Sequence, residues 1–260
     1  MDVVGTVVAL WRYPVKSMAG EPLAETWVGP AGITGDRAWA LLDGEGNWAS
    51  AKANRQRWRV YDGMLDLRTR TAAEHWPATP LAGSVAPLAE ERPSEVVVTL
   101  PDGREAVAGR PEADALLSAH LGAPLRFDHG DGGRRWGRHH DSVPLHLVTD
   151  ASLAALAGED GAPLDARRLR PNVVLRVDGR GFVEDGWVGR RLRVGAATLQ
   201  VVERTARCVM TTREQAPAGL PREPDVLPRI GRRNDACAGI SLTVVEPGAI
   251  RVGDPATLLG

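Results

Sequence analysis

The sequence predicts a mostly β protein of the α+β class, built as a barrel or sandwich in two lobes with a few short helices. Three observations predict it. Short apolar, β-branched runs recur along the chain and are punctuated by Gly/Pro turns, the pattern of antiparallel strands and not of a parallel α/β sheet. Only two stretches carry a clear helical pattern. A polar, glycine-rich, basic stretch at residues 129–142 (HGDGGRRWGRHHDS) interrupts the pattern halfway and reads as a surface loop between lobes. It places a boundary between residues 1–128 and 129–260.

In chain order, Val3 to Leu10 is the first strand, stopped by Pro14. Glu25 to Val28 is the next, followed by a turn at Gly29-Pro30-Ala31-Gly32. Ala38 to Leu42 leads into Asp43-Gly44-Glu45-Gly46, a hairpin loop. Leu65 to Thr69 alternates with period two, and Glu95 to Leu100 turns through Pro101-Asp102-Gly103 into Arg104 to Ala108. Pro111 to Leu121 is a helix with Ala113, Leu116, Leu117 and Leu121 on one face, Pro near its start and Gly122 after it. Thr149 to Ala157 is a short helix opened by a capping residue and closed by Gly158. Strands follow at Asn172 to Val177, Arg191 to Val194, Thr198 to Glu203, Ile240 to Val245 and Pro255 to Leu259. Ala216 to Pro228, rich in proline, is expected to be a loop.

Bulk composition narrows the function. The 260 residues are 43% hydrophobic and 25% charged, with a formal net charge of −1. That balance supplies no general attraction to nucleic acid or to a membrane surface. No apolar run approaches the roughly 20 residues of a membrane span. The N-terminus lacks a basic region before its apolar stretch and reads as a strand, not a signal peptide. Cys208 and Cys237 are the only cysteines and no CxxC occurs, which excludes an ordinary iron–sulfur cluster and a disulfide framework. A reducing, cytoplasmic location is expected. Of 32 basic residues only Lys16 and Lys52 are lysines, so Lys16 stands out.

Several residues could carry chemistry. Lys16 and Ser17 follow a strand at a turn, where an ammonium, a hydroxyl and backbone N–H groups suit a phosphate; an exposed turn lysine is the plainer alternative. Arg37, in Gly32-Ile33-Thr34-Gly35-Asp36-Arg37, is either a clamp for an oxyanion or half of a local ion pair with Asp36. Pro171 is expected to hold Arg170 extended, placing Arg170 and Asn172 on one side of a strand end, where they could read a phosphate and a heterocycle edge or be merely solvated. Phe182 to Trp187 reads as a polar loop without a usable acid pair. Cys208 follows Arg207, whose charge favours a thiolate, and thiolates bind soft metals; a buried small hydrophobe is the bland alternative and the reading for Cys237. The six histidines form no zinc spacing, and His139-His140 are expected to be solvated. Nucleotide-binding and serine-hydrolase fingerprints are absent.

In order along the chain, TVVALWRYPVKSM, GITGDRAW, DSVPLHLVTDASL, RLRPNVVL, FVEDGW, ARCVMTT and PGAIRVGDP resemble the molybdenum cofactor sulfurase C-terminal (MOSC) domain family. The resemblance is to the subgroup with an N-terminal β-barrel, which includes the mitochondrial amidoxime-reducing component and bacterial relatives. Each motif is modest and the ordered set, spanning nearly the whole chain, is specific. The resemblance implies an N-terminal MOSC-type β-barrel lobe at residues 1–128, a MOSC β-barrel domain at 129–260 and a molybdenum cofactor (Mo-molybdopterin) between them. It implies that Cys208 ligates molybdenum and that Lys16, Ser17 and Arg37 hold the pterin's phosphate. Arg170 and Asn172 would contact the pterin, Asp141 and Ser142 would lie on a loop lining it, and Arg207 would orient Cys208 or pack.

The activity implied is reduction of a small N-hydroxylated substrate: an amidoxime, an N-hydroxylated base or a hydroxylamine. Some bacterial relatives carry a ferredoxin domain after the MOSC domain. This sequence ends at Gly260 without cluster cysteines, so the expected electron source is a separate donor protein of the ferredoxin, flavodoxin or cytochrome type. The alternative is a non-catalytic cofactor carrier, or a sulfur-transfer protein using Cys208 as a persulfide.

Overall fold

The structure is a computed structural model, and it describes residues 2–53, 55–72, 95–130 and 138–260. Its first half runs β1 (Asp2–Arg12), β2 (Glu21–Leu23), β3 (Glu25–Gly29), β4 (Gly32–Ile33), β5 (Trp39–Leu42), β6 (Trp48–Ser50), β7 (Trp58–Val60), β8 (Arg68–Thr71), β9 (Val96–Thr99), β10 (Glu105–Val107), α1 (Pro111–Leu121) and β11 (Arg126–His129). The second half runs β12 (Leu145–Thr149), α2 (Asp150–Ala155), β13 (Val173–Arg176), β14 (Arg191–Val194), β15 (Ala197–Ala206), α3 (Val226–Asn234), β16 (Cys237–Glu246), β17 (Gly248–Arg251) and β18 (Pro255–Leu259). Strands dominate, as the alternating patterns predict. Among the described residues no helix is long and apolar enough to cross a membrane.

Seven strands close a barrel in the order β13-β12-β16-β15-β14-β18-β1, sealed by antiparallel pairing of β1 with β13. Within the barrel only the β12–β13 pair is parallel. The interior is filled by aliphatic side chains, among them Val7, Leu147, Leu175, Leu199 and Leu242. Closure leaves no open edge on these strands. The first strand of the chain therefore sits among strands drawn from residues 145–259. The hairpin β3–β4 likewise pairs with β17 near the C-terminus. Residues between them build the other lobe, from a three-stranded sheet β10-β9-β8 and a four-stranded sheet β11-β5-β6-β7. Its separate core includes Val15, Met18, Leu41, Leu67 and Leu117. The two lobes are interleaved along the sequence, not laid end to end.

Helix α1 has the predicted bounds. Pro111 suits the first turn, Gly122 caps the end at φ 71° with its N–H on the Ser118 carbonyl, and Ala113 and Leu117 are buried. Thr149 caps α2 by accepting the Ser152 N–H at 3.1 Å. Two expectations fail. Leu65 to Thr69 is not one strand: Met64–Asp66 form a 3-10 turn, and β8 begins only at Arg68. The buried Met64, Leu65 and Leu67 all serve the core, which a period-two pattern does not describe. The Pro-rich loop at 216–228 gives way to α3 from Val226, because Pro228 falls in the first turn, where no donor is lost. Val226 and Ile230, one turn apart, then bury against a third apolar cluster. The interlobe loop at 129–142 lies partly outside the described residues.

Candidate functional site

An open cleft of about 240 Å³ lies where the end of the barrel meets the other lobe. All nine residues singled out from the sequence line it: Lys16, Ser17 and Arg37 from the first half, Asp141 and Ser142 before β12, Arg170 and Asn172 before β13, and Arg207 and Cys208 after β15. Lys52, Arg168, His140, His146, Met210 and Thr211 also line it.

Backbone conformation places several of these side chains. Ser17, Arg37 and Arg170 adopt left-handed φ values of 63°, 50° and 53°. Non-glycine residues avoid this region, and surrounding structure must hold them there. Arg37 is held by its N–H on the Tyr13 carbonyl at 2.8 Å. Arg170 is thus not the extended residue expected before Pro171. The 3-10 turn at Ala166–Arg168 directs the chain into the left-handed conformation, with Arg170 N–H on the Ala166 and Arg167 carbonyls at 3.2 Å.

The cationic wall is built largely from buried groups. Lys16 donates to Asp141 Oδ1 at 2.6 Å and to the His139 carbonyl at 2.8 Å, with its ammonium 4.6 Å from the Trp48 ring centre. Lys52 meets the other Asp141 oxygen, so the chain's only two lysines converge on one carboxylate. Burial pushes Lys16 down to about 8 from 10.5, against the opposing pull of Asp141. Burial alone would raise Asp141, but Lys16 and Lys52 outweigh it and hold the carboxyl well below the usual range. Arg37 pairs with the fully buried Asp36. Burial works against the Arg37 charge, yet Asp36 more than compensates and its pKa ends above the ordinary value. Arg170 donates to the Met18 carbonyl at 2.6 Å and stacks 4.1 Å from the Tyr13 ring centre. Burial lowers it to about 10.

Two of the nine have their polar atoms engaged by the fold. Asn172 accepts the His146 N–H and donates to the Trp11 carbonyl, both at 3.2 Å, and so ties β12 to β1. Arg207 donates to the carbonyls of Ala238 and Leu169 at 2.9 Å and contacts the His146 ring. Burial pushes Arg207 down to about 9 and His146 well below its usual range, so His146 is neutral beside the guanidinium.

Cys208 is exposed on the cleft and is a free thiol, which removes the reading of a buried small hydrophobe. Cys237 is half-buried. Cys208 opens a 3-10 turn in which Thr211 N–H returns to the Cys208 carbonyl at 3.1 Å. Met210, two residues on, is buried in the core of the other lobe with Val15 and Met18. The motif thereby anchors the thiol across the lobe junction. Ser142 is exposed on the rim.

The histidine expectation fails. His139 is fully buried: its Nδ1 accepts the Trp48 Nε1–H at 3.1 Å and its Nε2 donates to the Asp128 carbonyl at 3.0 Å. His140 lies against the Ala31 carbonyl at 3.2 Å, and burial lowers its pKa to about 4. Glu184, expected in a polar loop, is fully buried and accepts from Thr149 Oγ1 and Ser152 Oγ at 2.7 Å, away from the cleft.

Six cationic side chains and one carboxylate line this cleft in a chain whose net charge is −1. Such concentration favours an anionic ligand. Among the described residues no group of three or more His, Cys, Asp or Glu is arranged to hold a metal ion. The cleft's lining offers one thiol. Of the residues missed by sequence reasoning, Lys52 carried a usable signal, its rarity. Arg168 and His146 carried none that distinguishes them from many other arginines and buried histidines.

Two family models match the chain, one over each half. The MOSC N-terminal beta barrel domain matches residues 4–124 and the MOSC domain matches residues 134–257. Mitochondrial amidoxime-reducing component 1 from Homo sapiens is 28% identical over 100% of this chain and 85% of its own length. Mitochondrial amidoxime reducing component 2 from Homo sapiens is 25% identical over 98% of this chain and 84% of its own length. Among solved structures, the YUAD protein from Bacillus subtilis is similar with a TM-score of 0.48 and 15% identity, covering 98% of this chain and 94% of that one. With both domain models in sequence order and a closed seven-stranded barrel, the chain belongs to the MOSC family, in the arrangement that carries an N-terminal MOSC barrel domain.

Proposed function

We propose that the cleft binds Mo-molybdopterin and that the protein reduces N-hydroxylated compounds with electrons from a separate donor protein. The observation that carries this reading is an exposed thiol, Cys208, set in a cleft lined by six cationic side chains and one carboxylate. The donor set fits the group. A thiolate is a soft ligand suited to molybdenum, and clustered Lys and Arg suit a phosphate. Relatives named amidoxime-reducing components support the substrate class. When bound, the cofactor would supply the two-electron redox chemistry needed to reduce an N–OH group.

The chain's own residues bind and orient. Lys16, Ser17 and Arg37 receive the phosphate, and Lys52 adds a second ammonium beside Lys16. Arg170 faces the pterin on a platform made by Tyr13. Asn172 and Arg207 act one step back: their hydrogen bonds fix β1, β12, β16 and the 169–170 segment relative to Cys208. Asp141 balances the two lysines until an anion takes its place. Because Cys208 is exposed, the same thiol also suits cofactor carriage or persulfide transfer.

Protein made in a host that synthesises the cofactor tests the reading. Wild type and Cys237→Ser should retain molybdenum and turn over an amidoxime many times with a reduced viologen dye, but not with NADH or NADPH alone. Cys208→Ser should lose the metal, the turnover or both. Equal metal content and activity in Cys208→Ser would refute the role of Cys208. Loaded protein that fails on a panel of N-hydroxylated compounds, yet restores an apo-molybdoenzyme, would make it a carrier.

A further inference from the structure

The carboxylates that pair with the cations of the cleft differ in freedom. Asp36, paired with Arg37, is fully buried and accepts the Tyr13 N–H at 2.7 Å, so it stays in place. Glu223 reaches Arg168 at 3.3 Å from outside the cleft's lining. Asp141, shared by Lys16 and Lys52, lines the cleft and has a side chain 43% exposed. It can rotate into water without burying a charge. The main chain that delivers it is fixed. His139 N–H meets the Arg37 carbonyl at 2.9 Å, the His139 ring is bonded to Trp48 and Asp128, and His140 rests on the Ala31 carbonyl at 3.2 Å. Only the side chain has to move.

The Lys16 ammonium has three partners. It donates to the His139 carbonyl at 2.8 Å and to Asp141 Oδ1 at 2.6 Å, and it lies 4.6 Å from the Trp48 ring centre. An aromatic face attracts an ammonium much as an acceptor does. Of these partners only Asp141 lines the cleft, and Lys16 itself is 4% exposed. An incoming anion therefore meets Lys16 where the carboxylate sits.

We propose that Asp141 is a built-in competitor for the phosphate subsite: it occupies Lys16 and Lys52 while the cleft is empty and must swing into solvent before an anion reaches them. The inference rests on reading this cleft as a phosphate site. A tethered group competes at an effective concentration of about millimolar or above. A monoanion that offers the lysines no more than Asp141 does gains little by exchange. A phosphate monoester carries close to two charges at neutral pH and has three acceptor oxygens. It can hold both lysines and engage Arg37 as well. The device keeps the empty cleft closed to small monoanions and leaves it open to a phosphate monoester.

Displacement has a signature that a fixed charge lacks. Moving Asp141 aside costs the same for every anion, so removing it should tighten all anions by one common factor. A carboxylate that stayed in place would repel a dianion about twice as strongly as a monoanion. Titration of the cofactor-free full chain at pH 7.5 with methyl phosphate, a dianion, and dimethyl phosphate, a monoanion, separates the two. Calorimetry reads the tighter complexes and ligand-observed NMR the weaker ones. Asp141→Asn and Asp141→Ala should each tighten both ligands by about tenfold or more, with the two factors equal within about twofold. Circular dichroism melts check the fold of both variants. The proposal is overturned if methyl phosphate gains the square of the factor seen for dimethyl phosphate. Unchanged or weakened affinities, or no methyl phosphate binding in either variant, overturn it too. Failure of the cofactor reading looks different: protein from a cofactor-making host would retain no molybdenum while the equal gain persisted.

Discussion

Lys16→Met should become more stable relative to the cofactor-free wild type as pH falls from 9.5 to 7, while abolishing anion binding. The side chain is only 4% exposed, and burial depresses its pKa from 10.5 to about 8. A group whose folded pKa lies below its unfolded value opposes folding while it is protonated. Its cost is complete below pH 8 and disappears as pH rises through 10.5. At 1.36 kcal/mol per pH unit, the cost at pH 7 is about 3 kcal/mol. Methionine keeps most of the volume and none of the charge. It loses the bond from Nζ to the His139 carbonyl, about 1 kcal/mol. Asp141 keeps Lys52 but loses the pull of Lys16 that helps depress its carboxyl, a cost that is the same at pH 7 and 9.5 because the carboxylate is ionised at both. The pH-dependent part remains: the Lys16 cost falls from about 3 to roughly 1.4 kcal/mol between pH 7 and 9.5. Relative to wild type, Lys16→Met should therefore be about 2 kcal/mol, or roughly 4–8 °C in Tm, more favourable at pH 7 than at pH 9.5. Thermal melts of cofactor-free protein at both pH values measure this. A Lys16→Met that melts lower than wild type by the same amount at pH 7 and 9.5 would refute the argument and make Lys16 a structural residue.

Other perturbations separate binding from support. Arg37→Ala and Arg170→Ala should each reduce pterin content after purification by about tenfold or more, since charge-assisted bonds contribute roughly 1.5–3 kcal/mol; full occupancy in both would return them to the solvated surface. Glu184→Ala should destabilise by about 2–4 kcal/mol by orphaning the Thr149 and Ser152 hydroxyls, and Glu184→Gln by less, as read in urea unfolding. Burial raises the Glu184 pKa above 4.5, so its contribution is greatest below that pH and declines as pH rises through the folded value. Ala236→Gly should raise stability by up to about 1 kcal/mol, because Ala236 is left-handed at φ 60° and glycine removes that cost; an unchanged or lower Tm would show that its methyl group packs.

Much of the fold was legible because strands announce themselves locally. The runs at Arg191–Val194 and Pro255–Leu259 have the predicted bounds, and α1 was marked by Pro111 and Gly122. What local pattern cannot convey is which strands become neighbours. Nothing in Val3 to Leu10 indicates that it closes a barrel with Val173–Arg176, some 160 residues away. Helix α3 was hidden by proline itself, since Pro228 is a breaker in most contexts and harmless in a first turn. The histidines were misread for a similar reason. Polar neighbours suggest solvent, but Trp48 and Asp128 come from other strands to bury and bond His139.

The cleft was legible as a set of residues and illegible as a mechanism of placement. Residue type raised Lys16, Arg37, Arg170 and Cys208 as candidates beside plainer structural readings, and the ordered resemblance to the MOSC family chose between them. It did not reveal that three of the cleft's residues, Ser17, Arg37 and Arg170, are left-handed. Nor did it separate side chains that present their charge from those that surrender it. Arg207 and Asn172 resembled ligand contacts, yet their donors end on Ala238, Leu169 and Trp11. Arg170 differs, since a single strong bond to Met18 and a stack on Tyr13 leave the remaining donors of a five-donor group for another partner. The division has a physical logic. A cleft that gathers six cations repels itself, and only groups rigidly tied to backbone carbonyls on either side of the thiol can keep it open before an anion arrives. Arg207 supplies that tie between β12, β16 and the segment leading into Arg170, so its conservative replacement by lysine, with one ammonium for three spread acceptors, should loosen the cleft although the charge is unchanged.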